Sequence, residues 1–205
     1  PQWQQWVGYQ HPISDDALNY VSERMDPNQL RRVAAWINRK LKRGKALEEN
    51  KINGLLVVSL DANEQFCSDH RCCEDCLTRA ITTKDAQGQP VTRIQYYHKQ
   101  VYAQLSGPKL SVILDVEPMC AGEEECAVAL RLLVRLREKY GPRFFDLVVV
   151  DAWYTNGPFL KAVVKMGWPV ISVLKQERYD IYGEALALTQ GRQPTETADR
   201  AGRKV

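Results

Sequence analysis

Apolar positions in the first fifty residues recur at helical spacing. Ser14, followed by Asp15 and Asp16, has the chemistry of a helix start, because a hydroxyl caps free amides and acids suit the positive end of the helix dipole. Pro27 suits the first turn of a second helix, and Gly44 suits its end. We expect the apolar side chains to enter the core. They are Leu18, Val21 and Met25 in the first helix, and Leu30, Val33, Ala34, Trp36, Ile37 and Leu41 in the second.

Beyond residue 50 the apolar runs are short and have the length of strands. The run at 55–60 predicts a buried strand that ends at Asp61, and residues 95–105 and 109–116 predict a hairpin joined by a Ser-Gly-Pro turn. A helix over 123–140, a strand over 144–150 that ends at Asp151, a helix over 159–166 and a strand over 170–174 follow. The inward positions of the helix over 123–140 are predicted to be Ala127, Leu130, Val134 and Leu136. A meander followed by alternating helices and strands predicts a mixed-sheet α/β fold.

Composition and charge narrow the classes of protein. Of the 205 residues 44% are hydrophobic, enough for one core and a small accessory region. No apolar run reaches the roughly 18 residues of a transmembrane helix, and the first residues lack signal-peptide features, so we expect a cytoplasmic protein without membrane contact. No glycine-rich phosphate loop of the GxxxxGK type occurs, so ATP is not expected.

A run of basic residues near the end of the second helix is a candidate nucleic-acid contact. The net charge of the chain is only +3, but seven basic residues lie between Arg31 and Lys45. A local basic run suits a polyanion such as DNA, and a solvated helix face is the alternative. The candidate DNA-binding residues are Arg39, Lys40, Lys42, Arg43 and Lys45.

Two aspartates follow directly after apolar strands. A carboxylate beside a buried strand needs compensation of its charge, which a divalent cation such as Mg²⁺ supplies. If the first strand and the strand over 144–150 are neighbours, Asp61 and Asp151 meet at the carboxyl ends, where α/β sheets form their sites. The alternative is that each aspartate only caps the turn that follows it.

Several segments resemble the DDE transposases of bacterial insertion sequences. They are LLVVSLDANE at 55–64, CCEDCLTR at 72–79, YYHKQVYAQL at 96–105 and the long segment over 114–178, in which Asp151 is followed by Ala-Trp-Tyr. The resemblance covers most of residues 13–190 and implies a ribonuclease-H-like fold. It implies Asp61 and Asp151 as catalytic ligands of Mg²⁺ or Mn²⁺, and metal-dependent cleavage and strand transfer of DNA. The implied partners are the terminal inverted repeats, target DNA and a second copy in the transposition complex.

The resemblance leaves the third catalytic residue open. Such enzymes carry a glutamate on a helix beyond an insertion that follows the fifth strand, and residues 179–205 resemble the start of that insertion. We therefore expect this glutamate beyond residue 205, in a chain that is a C-terminally truncated fragment. Glu184, 33 positions after Asp151, is the alternative third acid, and Glu64, Asp115 and Glu117 are expected to be structural.

A cysteine cluster adds a candidate zinc site. Four of the six cysteines lie between Cys67 and Cys76, and the Cys73-x-x-Cys76 spacing lets two thiolates bind one Zn²⁺. His98 is the third candidate ligand, because similar transposases carry a histidine after the tyrosine pair. The fourth ligand is open among Cys72, His70 and Cys67, with Cys72 favoured because relatives often carry histidine there. A polar loop with free thiols is the alternative.

The sequence therefore predicts three regions. They are an N-terminal helical region over 1–50, a ribonuclease-H-like core over 51–178 with a Cys-rich insertion at 62–94, and the start of a further insertion over 179–205. A transposase is the favoured function. A ribonuclease-H-like nuclease that cuts without joining, and a DNA-binding remnant without catalysis, remain alternatives.

Overall fold

The computed structural model describes residues 14–174 and 181–190. Helix α1 (Asp15–Arg24) begins where predicted, because the Ser14 hydroxyl accepts a hydrogen bond from the Ala17 amide at 3.2 Å. Helix α2 (Pro27–Arg43) is capped by Asp26 and ends at Gly44. Of the predicted terminal regions, residues 1–13 and most of 179–205 lie outside the described residues.

A six-stranded mixed sheet forms the centre of the described chain. Its strands are β1 (Val57–Ser68), β2 (Leu77–Lys84), β3 (Pro90–Ser106), β4 (Val112–Pro118), β5 (Leu147–Val150) and β6 (Val170–Ser172). The strand order is β2-β3-β1-β5-β6, with β4 on the same edge of β3 as β2. Strands β3 and β1 are antiparallel, whereas β5 and β6 run parallel to β1. The mixed α/β fold predicted from the sequence is confirmed.

Three further helices follow in the second half, α3 (Glu125–Tyr140), α4 (Gly157–Lys165) and α5 (Ile181–Thr189). Helix α3 packs on β3 and β4, and α4 packs on α3 and β6. Trp168 is 1% exposed, stacks on Phe145 at 4.5 Å between ring centroids and donates its indole N–H to the Pro142 carbonyl. None of the helices in the described parts of the chain is long and apolar enough to cross a membrane.

A charged cluster joins α2 and α3 to the edge strand β4. The Asp115 side chain is 3% exposed and forms ion pairs with Arg31 at 3.2 Å, Arg135 at 2.8 Å and Lys139 at 3.1 Å. Glu117 continues the cluster with Arg131 and Arg135. The structural role predicted for Asp115 and Glu117 is borne out, since their charges are neutralised within the fold.

The first strand does not end at Asp61 as predicted but continues to Ser68. The strand β2 and the early start of β3 at Pro90 were also not predicted. Apolar runs identify only strands that are buried. The outer halves of β1 and β3 pair with each other and with β2, which satisfies their backbone hydrogen bonds without burying side chains.

The predicted inward faces of three helices are confirmed only in part. Leu136 is buried, and Leu41 and Leu130 pack against the core, but most of the other predicted positions are exposed. On α1 and α2 most of the apolar side chains are exposed, and the buried α2 residues are Ala35 and Asn38. The exposed members are Leu18, Val21, Met25, Leu30, Val33, Trp36 and Ile37. Asn38 is buried because its amide donates to the Ile113 carbonyl and the Tyr140 hydroxyl. On α3 Ala127 and Val134 are exposed, and Val128, Ala129, Leu132, Leu133 and Leu136 are buried.

A close approach of backbone occurs at the turn between β3 and β4. The Asn50 side chain accepts hydrogen bonds from the Lys109 and Leu110 amides. A Cβ at Gly107 would lie 2.2 Å from the Asn50 carbonyl oxygen. Only glycine fits this turn without moving the backbone that it contacts.

Candidate active site

Two candidate carboxylates lie at the point where β5 ends beside the continuing strand β1. Strands β1 and β5 pair in parallel with Leu60 opposite Val150, so Asp61 and Asp151 follow a pair of aligned residues. Neighbouring strands lie about 4.8 Å apart, so the two aspartates are adjacent where β5 ends. Both are exposed. The sheet therefore brings together the two residues that the sequence selects.

The hydrogen bonds of both aspartates leave oxygen atoms available. Asp61 Oδ1 accepts from the neighbouring Ala62 amide at 2.8 Å, and Asp151 Oδ1 accepts from the Trp153 amide at 2.9 Å. The second contact caps the short 3₁₀ helix Ala152–Tyr154, so the capping alternative holds for Asp151. No Lys, Arg or His within residues 14–174 and 181–190 forms an ion pair with either aspartate. Both charges are open to solvent, whereas that of Asp115 is buried among cations.

A third carboxylate and a buried tyrosine lie beside this pair. Glu125, at the start of α3, forms an ion pair with Lys99 at 2.6 Å and its side chain is 10% exposed. The Tyr154 hydroxyl is buried, and it faces the Glu125 carboxylate without a hydrogen bond of ordinary geometry to any described residue. Burial raises the pKa of Tyr154, and the carboxylates of Glu125, Asp61 and Asp151 raise it further. The region around Asp61, Asp151 and Glu125 therefore has a negative potential, and the neutral phenol of Tyr154 lies beneath it.

Two open concavities lie in this part of the molecule, and Asp61 lines one of them. One of about 400 Å³ lies on the polar face of β1 and β3 and is lined by Asp61, Ser59, Asn63, Tyr102 and Gln104, among others. The other, of about 470 Å³, is lined by Lys99, Glu125, Trp153 and Asn156, among others. Trp153 is 65% exposed although it is a large apolar side chain.

Sequence reasoning missed Glu125, Lys99 and Trp153. Glu125 ends a run of three glutamates, which looks like ordinary helix-start chemistry, and Lys99 is one polar residue in a long alternating strand. Trp153 belongs to the aromatic turn after Asp151, and in the sequence this turn contributes only to the family resemblance. Glu184 lies in α5 and is exposed.

The cysteine cluster forms a compact group away from the sheet centre. The Sγ atoms of Cys73 and Cys76 are 3.6 Å apart, and His98 Nε2 lies 3.3 Å and 3.4 Å from them. Cys72 and His70 do not belong to this group, and Cys67 faces Arg79 at 3.8 Å. The three ligands named first from the sequence are therefore together, and the favoured fourth one is not among them.

The basic residues of α2 lie at the other end of β5. Lys42 donates to the carbonyls of Arg143 and Phe144 at 2.6 Å, and Arg39 donates to the Lys139 carbonyl. Burial lowers the pKa of Lys42. At most about 25 Å of extended chain separates Phe144, which Lys42 contacts, from Asp151. The described contacts give Lys42 and Arg39 a structural role, and DNA binding by this group stays a prediction.

Comparison with known proteins gives little that identifies the chain. No family model matches the sequence, and no curated protein matches it. Among solved structures, the piggyBac transposase in a synaptic complex with hairpin DNA matches with a TM-score of 0.39 and 14% identity. The match covers 67% of this chain and 27% of the piggyBac chain.

Proposed function

We propose that this chain is the core of a transposase-type enzyme that cleaves and transfers DNA strands, with Asp61 and Asp151 as two carboxylate ligands of Mg²⁺ or Mn²⁺. The observation that carries the proposal is the parallel register of β1 and β5, which ends on Leu60 and Val150 and leaves both aspartates adjacent where β5 ends. Their solvent-exposed charges fit a divalent cation, which prefers a few carboxylates together with water and phosphate oxygens.

The strand arrangement supports the same proposal. Around the aspartates the order is β4-β3-β1-β5-β6, with an antiparallel meander on one side and two parallel strands on the other. This is the order expected of a ribonuclease-H-like core. Strand β2 is then an addition that extends the meander outward.

The residues of the chain have separate tasks in this chemistry. Asp61 and Asp151 would hold the cation, and a cation bound there would supply the charge that activates an attacking oxygen and stabilises a leaving one. The Trp153 amide fixes the Asp151 carboxylate, and Lys99 holds Glu125 in place beside the pair. Lys99 and the exposed Trp153 ring border a surface where a DNA strand contacts both a cation and an aromatic face. A third acid, for which Glu184 is a candidate, would complete the ligand set.

Cation binding and DNA cleavage test the proposal together. Asp61→Asn and Asp151→Asn should each abolish Mn²⁺ binding measured by electron paramagnetic resonance, and should abolish metal-dependent cleavage while DNA binding persists. Asp16→Asn is the matched control, because Asp16 is exposed in the first turn of α1 and remote in sequence from the sheet. Wild-type Mn²⁺ affinity and cleavage in either variant would refute the assignment. Cleavage without joining of paired transposon ends would favour the simple nuclease.

A further inference from the structure

We propose that Cys73, Cys76 and His98 hold a structural Zn²⁺ whose fourth position is filled by water. The proposal does not depend on the aspartate pair, because the two groups share no residue. It rests on three observations about the described residues: the spacing of the ligand atoms, the lack of any other core in this part of the chain, and the local hydrogen bonds.

The spacing of the ligand atoms is that of a tetrahedral zinc site. With Zn–S about 2.3 Å and Zn–N about 2.05 Å, tetrahedral angles require about 3.8 Å between two sulfurs and about 3.6 Å between sulfur and nitrogen. The observed distances are 3.6 Å for the sulfur pair and 3.3 Å and 3.4 Å for the sulfur–nitrogen pairs. The three ligand atoms can therefore surround one Zn²⁺ after small side-chain shifts. A disulfide would leave His98 without a role in the group, and both cysteines are free.

The surrounding hairpin has almost no apolar core. Between residues 62 and 94 only Cys76 and Leu77 are buried. The remaining order comes from polar contacts, chiefly those of Arg79, which bonds Glu64 and Gln95 and lies over the Tyr97 ring. A metal that joins the turn before β2 to the middle of β3 would supply the missing cross-link. Metal-binding free energy then contributes directly to the folding of this segment.

The backbone around Cys73 and Cys76 is already arranged for thiolates. The Cys73 amide donates to Cys76 Sγ at 3.2 Å, and the Cys76 amide donates to the Cys73 carbonyl, which closes a tight turn. An N–H directed at sulfur stabilises negative charge there. His98 lies opposite Phe66 in the register of β1 and β3, so the sheet fixes the position of the imidazole.

Water is assigned to the fourth position because no other ligand atom within residues 14–174 and 181–190 joins the three. Cys72 is exposed and outside the group, and Cys67 is turned toward Arg79. Cys73 itself is exposed, so solvent reaches the site. Three protein ligands with one water are known from zinc sites that keep an open position.

Metal analysis of the chain tests this directly. Protein purified without chelators should carry close to one zinc per chain, measured by inductively coupled plasma mass spectrometry. Cys73→Ser and His98→Asn should carry close to none. The matched controls Cys67→Ser and Cys120→Ser change exposed free thiols elsewhere and should keep the metal. Wild-type protein without bound zinc, or full zinc content in Cys73→Ser, would overturn the proposal.

Cobalt substitution and chelation test the coordination when a variant fails to fold. Co²⁺ in the wild-type chain should show the intense visible bands of a four-coordinate site with thiolate ligands, and Cys72→Ser should leave them unchanged. Loss of these bands or of zinc in Cys72→Ser would overturn the water assignment. Adding EDTA to the wild-type protein should lower its melting temperature and increase hydrogen exchange in β2. An unchanged exchange pattern after complete removal of zinc would refute the structural role.

Discussion

Asp115 carries the negative charge that holds two helices to the edge of the sheet. Arg31 from α2 and both Arg135 and Lys139 from α3 direct their charges at this one carboxylate, which is 3% exposed. Replacing Asp115 by Asn keeps the shape of the side chain and removes the charge. Three cations then remain close together, with only Glu117 to neutralise them.

The cost follows from the burial of the partners. Removing one member of a buried ion pair costs about 3–5 kcal/mol. The basic side chains are 21–24% exposed, so water screens part of the repulsion and the low end applies. We therefore expect Asp115→Asn to lose about 3 kcal/mol of unfolding free energy. For a chain of this size that is a fall in melting temperature of about 6–12 °C.

Urea titration followed by circular dichroism measures this loss. Glu49→Gln is the control, because the Glu49–Lys109 pair has the same 2.8 Å length but its side chains are 74% and 68% exposed. Such an exposed pair is worth less than about 1 kcal/mol. Equal losses in the two variants would show that the Asp115 cluster stabilises no more than a surface pair, and would refute the reasoning.

The pH dependence provides a second measurement of the same cluster. Burial raises the pKa of Asp115, but hydrogen bonds from Arg135, the Val116 amide and Lys139 outweigh burial and lower the pKa below its ordinary 3.8. The folded state therefore binds this proton less readily than the unfolded state. The stabilisation is complete above about pH 4 and is lost as the pH falls through the lowered pKa. Asp115→Asn should flatten this acid limb of the stability curve.

Three further changes have defined outcomes. Arg131→Ala should raise the pKa of Glu123 from about 2 toward its ordinary 4.5, measured by NMR titration, because the guanidinium is the main group that lowers it. Gly107→Ala should destabilise the fold by about 1–3 kcal/mol in urea titration, since its Cβ would overlap a neighbouring backbone carbonyl, and an unchanged midpoint would contradict that contact. Replacing Lys40 and Arg43 by Ala should flatten the salt dependence of DNA binding by about two units. An unchanged slope would make this helix end a solvated surface.

The central strands could be predicted because their buried positions form continuous apolar runs in the sequence. The run that leads to Asp61 and the run that leads to Asp151 are apolar on both faces, but the pairing of β1 with β5 is established only by the structure. The outer hairpin could not be predicted in this way. Its strands gain backbone hydrogen bonds rather than buried area, so their sequence looks like a loop.

The predicted buried faces of the helices were partly wrong for a different reason. A stripe of apolar residues shows that a helix can be amphipathic, but not which side it presents to its neighbours. On α2, Arg31 and Asn38 bond to β4 and Arg39 bonds to the end of α3, so polar bonds to carboxylates and carbonyls help to fix its orientation. The three candidate zinc ligands were predicted from spacing and resemblance, whereas the exclusion of Cys72 from their group required coordinates.

The pairing of β1 with β5 also sets the order of events while the chain is being made. Their partners lie 90 positions apart in sequence, for example Val57 and Leu147. A ribosome adding about 5–20 residues per second needs about 5–18 s to synthesise that interval. During this time the apolar first strand has β3 as its earliest partner, and Asp61 has no neighbouring aspartate. The candidate cation site therefore forms only after β5 leaves the exit tunnel, so a nascent chain stalled before residue 147 would have the outer hairpin but not the paired carboxylates.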